Sequence, residues 1–315
     1  MNRHMKKALI IGGSGFVGPY LCRELLSAGY EVVLTANGED VAQKDWNWVE
    51  LDILDAEAVQ VLLNEGGFDC VFHLAAQSSA AVSWKKPKLT IDVNVQGTLN
   101  LLETLRTMDK PPRLLLIGSG EEYGPVKPED CPLSEAQPCH PGNPYAVSKL
   151  CAEQLGLLYA HAYGLEVLCT RSFNHAGPGQ APGFVLTDFC RQIALLEKSE
   201  GEKRMSVGNL AAQRDFSDVR DVVRAYRLLM EKGRSGKVYN VGSGRAVAVA
   251  ELLKRLLELS GADIQVETDG DKLRPLDVPL HMADVSALCT DTGWRAEIPL
   301  EETLLDVLKD WRERV

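Results

Sequence analysis

The feature that most restricts the fold is a glycine-rich turn near the N-terminus. Residues 8–11 are a short apolar run, and Gly12, Gly15 and Gly18 follow it at the spacing G-x-x-G-x-x-G, where a helical pattern over residues 15–28 begins. Between a strand and a helix, such glycines permit a tight turn, a close approach of a pyrophosphate and close packing of the helix on the strand. Free N–H groups at the helix N-terminus then meet the phosphate charge. This context favours a dinucleotide site over a tight turn that binds nothing.

Short apolar runs alternate with longer segments of helical period through the first half of the chain. We expect strands at residues 8–11, 31–35, 70–74, 114–118 and 166–170, and helices at residues 15–28, 56–64, 93–108 and 145–163. Continuous Val, Ile and Leu runs are typical of strands buried on both faces of a parallel sheet, with helices as the crossovers. The order predicts an α/β fold with a Rossmann-type doubly wound parallel sheet, which binds ligands beyond the carboxyl ends of its strands.

The pattern changes after about residue 172. A loop rich in glycine and proline leads into a helix over 184–197, a strand over 238–241 and a helix over 247–259. We therefore expect a dinucleotide-binding domain over 1–172, to which the chain returns near 213–241 and 280–290. Residues 173–315 are expected to form mainly a smaller C-terminal lobe that binds the substrate.

Charge and cysteine usage limit the partners of this 315-residue chain. Its net charge is −10 and its pI is near 5.2, so nucleic-acid and membrane-surface binding are not expected, and an anionic substrate would need local cations. The eight cysteines show no C-x-x-C spacing, and His175 and His281 lack a second ligand at metal spacing. The first apolar run is too short for a signal-peptide core. We expect a cytoplasmic protein with reduced thiols and no metal site.

The end of the second predicted strand bears on the choice of cofactor. It reads Thr35-Ala36-Asn37, without the acid that commonly holds the adenosine ribose. Because a carboxylate there would repel the 2′-phosphate of NADP, NADP(H) is favoured over NAD(H), although no arginine stands ready for that phosphate. Asp52 is a candidate acceptor for the adenine amino group. Its alternative role is to cap the helix that starts near residue 56, and Asp55 is the better candidate for that cap.

A second group of residues indicates chemistry. Tyr145 and Lys149 lie four residues apart at the start of a helix and therefore share one face of it. A neighbouring ammonium and a positively charged nicotinamide favour phenolate, so we expect the pKa of Tyr145 to be lowered. Such a pair suits proton exchange with a carbinol or carbonyl oxygen while a hydride moves, although the spacing alone also fits a surface helix. Ser119, at the end of a buried strand, can position the reacting oxygen or simply form a turn.

These motifs resemble the extended short-chain dehydrogenase/reductase superfamily over nearly the whole chain. The resemblance is carried by the glycine turn, His73-Leu-Ala-Ala76, Ser119 and Tyr145-x-x-x-Lys149. More narrowly, several segments are similar to GDP-4-keto-6-deoxy-mannose reductases, which reduce a C4 ketone to give GDP-rhamnose. These segments are Gly118-Ser-Gly-Glu-Glu-Tyr-Gly124, Arg171-Ser-Phe-Asn-His-Ala-Gly-Pro-Gly-Gln180, Val207-Gly-Asn-Leu, Arg214-Asp-Phe-Ser-Asp-Val-Arg-Asp221 and Leu273-Arg-Pro-Leu-Asp-Val278.

The resemblance implies a role for each site residue. Ser119, Tyr145 and Lys149 would be the catalytic trio, with Glu121 beside them and Tyr145 protonating the C4 oxygen. The implied cofactor contacts are Gly12, Gly15, Phe16, Val17, Gly18, Asn37, Asp52, Ile53, Leu74, Ala75, Ala76, Tyr145 and Lys149. The implied contacts to a GDP-sugar are Ser78, Glu121, Asn174, Arg214, Arg274 and Asp277, with the arginines at the diphosphate. The resemblance also implies a homodimer in which the helices over 93–108 and 145–163 form a four-helix bundle.

Several alternatives stay open. Arg214 could pair with Asp215, Asp218 or Asp221 instead of a diphosphate. In a sugar-nucleotide 4,6-dehydratase, Glu121 would be the catalytic base, but Ser119 stands where those enzymes usually carry threonine. A 4-epimerase typically has the ribose acid that this chain lacks. A cofactor-binding sensor without catalysis would be marked by loss of Tyr145 or Lys149, and both are present.

Overall fold

The computed structural model describes residues 5–38, 44–270 and 278–315. Within these ranges the strands are β1 (Lys7–Ile11), β2 (Glu31–Ala36), β3 (Asn47–Glu50), β4 (Cys70–His73), β5 (Arg113–Ser119), β6 (Val167–Ser172), β7 (Asn174–Ala176), β8 (Arg204–Val207), β9 (Gln213–Asp218), β10 (Val238–Val241), β11 (Ala246–Ala248), β12 (Gln265–Thr268) and β13 (Leu280–His281). The α-helices are α1 (Val17–Ser27), α2 (Ala56–Gly66), α3 (Ala80–Lys85), α4 (Pro87–Ile91), α5 (Gly97–Thr107), α6 (Pro144–Tyr163), α7 (Val185–Lys198), α8 (Val219–Lys232), α9 (Val249–Ser260), α10 (Ser286–Thr292) and α11 (Leu300–Arg314).

A seven-stranded parallel sheet is the centre of the molecule. Its strand order is β10-β6-β5-β4-β1-β2-β3. Its inner strands are buried along nearly their whole length, which is why the sequence reads there as continuous apolar runs. The order reverses between β1 and β4, and open sheets of this kind bind ligands at that reversal, outside the carboxyl ends of the strands. The doubly wound sheet predicted from the sequence is confirmed.

Helices cover both faces of this sheet. On one face, α1, α8 and α10 bury a cluster that includes Leu21, Tyr226 and Trp294. On the other face, α2, α5 and α6 enclose a cluster that includes Leu63 and Leu102. Strand β10 and helix α8 come from the second half of the sequence, so the chain returns to the sheet after leaving it at β6.

The rest of the C-terminal half packs around a separate core. Helices α7, α9 and α11 bury apolar side chains such as Phe189, Leu252 and Leu308. Beside them, β9 pairs with β11, β13 and β7, and β8 pairs with β12. No helix in the described ranges is both long and apolar enough to cross a membrane.

Some elements differ from the sequence-based expectation. The helix expected over 93–108 is α5, and it follows a π-helical turn, Asp92–Gln96. In that turn, Asn94 directs its side chain to the backbone of Gln77 and to Ser148, at distances of 2.7 to 3.0 Å. Strand β3 is not predicted because Trp48 and Val49 are its only apolar residues.

Candidate active site

The glycine turn closes tightly between β1 and α1. Gly12 has a φ of +81°, and a Cβ there would lie 2.5 Å from the backbone nitrogen of Ala75. A Cβ on Gly18 would lie 2.0 Å from the carbonyl oxygen of Gly13. Gly12 and Gly18 therefore have no room for a side chain, because the turn packs against the end of β4 and the helix packs against the turn.

The N-terminus of α1 is open to an anion. No side chain caps it, and its first turn contains no acid. Phe16 stands at the N-cap, Val17 begins the helix, and Gly15 is exposed with ordinary space around it. Unpaired N–H groups at a helix N-terminus bind phosphate oxygens, so these residues fit the pyrophosphate of a dinucleotide. The cofactor itself would supply the hydride for a reduction.

Other predicted cofactor contacts lie around this turn. The backbone N–H groups of Leu74 and Ala75 both donate to the carbonyl of Ile11 at 2.9 Å, which brings the end of β4, and Ala76 after it, beside the turn. Ile53 is buried, and Asn37 is exposed directly after β2.

Asp52 and Asp55 have separate roles in the loop before α2. Asp55 caps that helix by accepting the N–H groups of Glu57 and Ala58 at 3.1 and 3.0 Å, which confirms the cap expected from the sequence. Asp52 is exposed, and its Oδ1 accepts the Leu54 N–H at 2.9 Å. Its role toward adenine stays a prediction.

Ser119, Tyr145 and Lys149 come together at the carboxyl edge of the sheet. Ser119 is the last residue of β5, and its hydroxyl reaches the phenol of Tyr145. Helix α6 places Tyr145 and Lys149 one turn apart, and Asn143 caps it by accepting the Ala146 N–H at 2.8 Å. The Lys149 ammonium donates to the carbonyl of Ile117 at 2.8 Å, which fixes it against β5. Strand β5 and helix α6 thus bring together the three residues that the sequence singled out.

Burial shifts the pKa values of Tyr145 and Lys149, and for Tyr145 the shift is opposite to the sequence-based prediction. The pKa of Tyr145 is raised by burial, only partly opposed by the hydrogen bond from Ser119, and is not lowered as predicted from the sequence. Burial also lowers the pKa of Lys149, to about 8. The direction of the Tyr145 shift favours the protonated phenol, which is the form that can donate a proton.

Glu121 lies beside this trio, and its carboxylate is hydrogen-bonded to Asn143. Its Oε2 accepts a hydrogen bond from the side-chain amide of Asn143 at 2.7 Å. Its charge also contributes to the raised pKa of Tyr145, which places the carboxylate near the phenol.

The described candidates for substrate binding belong to two regions. Asn174 and Arg214 lie on β7 and β9, which pair with each other, and Ser78 is exposed in the loop after β4. His281 on β13 lies between these regions. It pairs in register with Arg214, and a Cβ on Gly120 would lie 3.1 Å from its ring. Arg274 and Asp277 lie outside the described residues.

The three acids proposed as alternative partners of Arg214 have other partners. Asp215 accepts the backbone N–H groups of Ser243 and Gly244 at 2.7 and 2.9 Å. Asp218 binds Arg220 at 2.8 Å, and Asp221 binds Arg224 at the same distance. Arg214 itself donates to the carbonyl of Val278 at 2.6 Å. The role of Arg214 toward a diphosphate stays a prediction.

Two features near the site were not found from the sequence. Glu50 at the end of β3 pairs with Ala36, and its Oε1 lies 3.9 Å from the Cβ position of Gly38, so a carboxylate stands near the end of β2 after all. A buried cluster of Glu122, Glu153 and Arg171 lies below the trio. Among the described residues, no three His, Cys, Asp or Glu side chains are grouped to hold a metal.

Known proteins resemble this chain along its whole length. It is 35% identical to a GDP-6-deoxy-D-mannose reductase of Pseudomonas aeruginosa over 98% of both chains, and 28% identical to a GDP-mannose 4,6-dehydratase of Vibrio cholerae over 97% of this chain and 93% of that protein. The solved structure of RMD from Pseudomonas aeruginosa, complexed with NADPH, superimposes with a TM-score of 0.88 at 35% identity, covering 99% of this chain and 100% of that one.

The family assignment follows from a match that spans both the glycine turn and residues Ser119, Tyr145 and Lys149. The sequence model of the GDP-mannose 4,6 dehydratase family matches residues 9–307. The chain belongs to this family of NAD(P)-dependent nucleotide-sugar enzymes, within the epimerase/dehydratase superfamily.

Proposed function

We propose that this chain reduces the C4 ketone of a GDP-4-keto-6-deoxy-hexose, converting GDP-4-dehydro-6-deoxy-D-mannose to GDP-D-rhamnose. The observation that carries the proposal is the placement of Tyr145 in contact with Ser119, one helical turn from Lys149, at the carboxyl edge of the sheet. A ketone reduction consumes one hydride and one proton, and a phenol kept protonated by burial can supply that proton. The reductase activity of the relative from Pseudomonas aeruginosa supports the same choice.

Each residue of the trio has a part in the proton transfer. Ser119 donates a hydrogen bond to the ketone oxygen and so holds it near the phenol. Tyr145 gives its proton to that oxygen as negative charge develops there. The Lys149 ammonium, fixed by Ile117, stabilises the phenolate that remains until it regains a proton from solvent.

The nucleotide end of the substrate would lie along β9. Arg214 on β9 and Asn174 on the paired strand β7, together with Arg274 and Asp277, would hold the diphosphate and ribose. A guanidinium binds phosphate oxygens in a bidentate manner, and this meets the need for local cations in a protein of net charge −10. His281 lies between Arg214 and Gly120, which is where the sugar would pass from one region to the other.

We propose NADPH as the preferred reductant. The end of β2 carries no acid, and the related RMD structure contains NADPH. Glu50 opposes this preference from the neighbouring strand, because its carboxylate would repel a 2′-phosphate. We therefore expect Glu50→Gln to raise the ratio of kcat/KM for NADPH to that for NADH by about tenfold. An unchanged ratio would place Glu50 away from the ribose.

One assay tests the proposed reaction. The protein is mixed with NADPH and GDP-4-dehydro-6-deoxy-D-mannose, and the absorbance of the reduced cofactor is followed. A reductase consumes NADPH in step with the sugar, and NMR of the product identifies the configuration at C4. If the absorbance stays constant, the proposed reduction is wrong.

A 4,6-dehydratase is the second candidate, because Glu121 lies near Tyr145. A dehydratase base needs a free carboxylate at C5 of the sugar, and Asn143 already holds one oxygen of Glu121. Incubation with GDP-mannose and a catalytic amount of NADP+ would yield a 4-keto sugar if this candidate were correct. A 4-epimerase would instead interconvert C4 epimers without net use of cofactor.

We also propose a homodimer in the cytoplasm. The dimer would form through α5 and α6 of each protomer as a four-helix bundle. On these helices, Leu102 and Leu105 of α5 are fully buried within one chain, but Leu158 on α6 is 56% exposed, with Tyr163 nearby also exposed. These exposed side chains are the ones that a partner would cover.

A further inference from the structure

Two buried carboxyl groups and one guanidinium lie below the proposed catalytic trio. Glu122 and Glu153 are almost completely buried, as is Arg171. Arg171 binds both oxygens of Glu153, with distances of 2.8 Å from Nε and 2.7 Å from Nη2. The distance from its Nε to Oε2 of Glu122 is longer, at 3.6 Å. The guanidinium therefore neutralises Glu153 first, which leaves Glu122 without a full counter-charge.

Glu122 is also built into the end of β5. Its Oε1 accepts the backbone N–H of Ser119 at 2.6 Å. A Cβ on Gly118 would lie 2.5 Å from that same oxygen, so the carboxyl group occupies space that only a glycine leaves open. No donor in the described part of the chain reaches Oε2 of Glu122, and this atom is buried. Arg171 contacts both carboxyl groups, which makes Glu153 the acidic neighbour of Glu122 in this cluster.

We propose that Glu122 is a positioning residue for Ser119 and that it works as a neutral carboxyl, with a proton on Oε2 that it donates to Glu153. Two adjacent buried carboxylates that share one cation do not both ionise readily. A proton on Oε2 turns an atom without a donor into a donor, and it leaves Oε1 free to accept from Ser119. Burial first, and then the charge of Glu153, raise the pKa of Glu122, which agrees with this geometry.

The protonation of Glu122 matters for the trio above it. The titratable groups that face it are Tyr145, Lys149 and Glu153 from α6, Arg171 and Cys169 from β6, and Cys139. Lys149 and Glu153 line one small cavity of about 10 Å³. An ionised Glu122 would raise the pKa of both Tyr145 and Lys149. A neutral Glu122 removes that charge while keeping its hydrogen bond to the strand.

Infrared spectroscopy tests the protonation directly. At neutral pH the wild-type protein should show the carbonyl band of a protonated carboxyl, and Glu122→Gln should remove it. The matched control is Glu258→Gln on the exposed face of α9, which should leave the band in place. If the wild type lacks the band, or if Glu122→Gln retains it, the proposal is overturned.

Melting temperature as a function of pH gives a second test that needs no enzyme assay. Because the folded-state pKa of Glu122 is raised, its stability contribution is complete below the ordinary glutamate pKa of about 4.3 and is lost as the pH rises through the folded-state value. Glutamine does not titrate. The Tm of Glu122→Gln should therefore rise relative to wild type across that window, and a fall would mean that Glu122 is ionised. Glu153→Gln breaks a buried ion pair and should lose on the order of 10 °C.

The positioning role has a kinetic test, which alone rests on the proposed function. Glutamine can still accept from Ser119 and donate to Glu153, whereas leucine can do neither. We expect kcat of Glu122→Leu to be about tenfold below that of Glu122→Gln, with the same KM for NADPH. Equal kcat values would refute the positioning role. If the wild-type chain reduces no ketone, the proposed function fails, while the infrared and melting results still decide the protonation of Glu122.

Discussion

At the scale of single residues, burial decides which groups can exchange protons. Tyr145 and Lys149 were recognisable from the sequence, because residues four apart share a helix face and because Ser119 and the glycine turn accompany them. Their protonation could not be predicted, because desolvation depends on what the fold places around them. Desolvation raises the pKa of the Tyr145 phenol and lowers the pKa of the Lys149 ammonium. Glu122 was missed for the same reason. In the sequence it is one of two adjacent glutamates in a turn, and only the fold shows that it is buried below Ser119.

The role of Tyr145 as proton donor can be tested by removing its hydroxyl. Tyr145→Phe keeps the ring and its packing but has no proton to give, so kcat should fall by about 10²–10⁴. The Kd for NADPH, measured by fluorescence quenching, should change by less than about twofold, since the glycine turn is untouched. An equal loss of turnover and cofactor affinity would argue against the assigned role.

The pH dependence of the reaction should report Lys149. Burial lowers the pKa of this ammonium to about 8, so the charged form prevails below that pH and is lost above it. Because the charge is needed to stabilise the Tyr145 phenolate, kcat/KM should decline as the pH rises through about 8. The raised pKa of Tyr145 keeps the phenol protonated over the same range. A profile that stays flat well above this pH would exclude Lys149 from this role.

At the scale of elements, burial also explains which strands could be predicted from the sequence and which could not. Strands β1, β4 and β6 lie in the middle of the sheet and have continuous apolar runs, so their positions were predicted closely. Edge strand β3 has only partial burial and therefore gave no signal. The π-helical turn before α5 depends on side-chain hydrogen bonds of Asn94 to a distant loop, which no local pattern contains.

Gly15 and Gly18 of the glycine turn should differ in whether they tolerate a side chain. A Cβ on Gly18 would lie 2.0 Å from the backbone of Gly13, whereas a Cβ on Gly15 meets only Gly12 at 3.5 Å. Gly18→Ala should therefore lower the free energy of unfolding by about 2–3 kcal/mol, measured by urea denaturation without cofactor. Gly15→Ala should change it by less than about 0.5 kcal/mol while weakening NADPH binding. A similar loss of stability in both variants would contradict the close packing at Gly18.

At the scale of the whole molecule, the division into a cofactor half and a substrate half stays a prediction, with a boundary near residue 172. The sequence indicated the change of pattern there, but it could not show how the strands of the second half pair, because those pairings join segments far apart in the chain. The contact of His281 with Gly120 is an example, since the two residues meet only in the folded molecule.

Assembly into a dimer can be tested on α6. Leu158→Glu would place a charge in the proposed bundle and should convert a dimer into a monomer, measured as molar mass by light scattering. Val61→Glu on α2, where Val61 is 49% exposed outside the proposed interface, is the control and should leave the mass unchanged. A molar mass of one chain for the wild-type protein would contradict the proposed dimer.

The position of β10 and α8 late in the chain affects folding during synthesis. Strand β6 needs β10 as its outer neighbour, and α1 needs α8 as its cover, yet both are synthesised more than forty residues after β6 ends. A nascent chain that stops near residue 172 would display an open strand edge and an uncovered apolar helix, which are the features that promote aggregation. The first half is therefore not expected to fold on the ribosome before β10 and α8 have been synthesised.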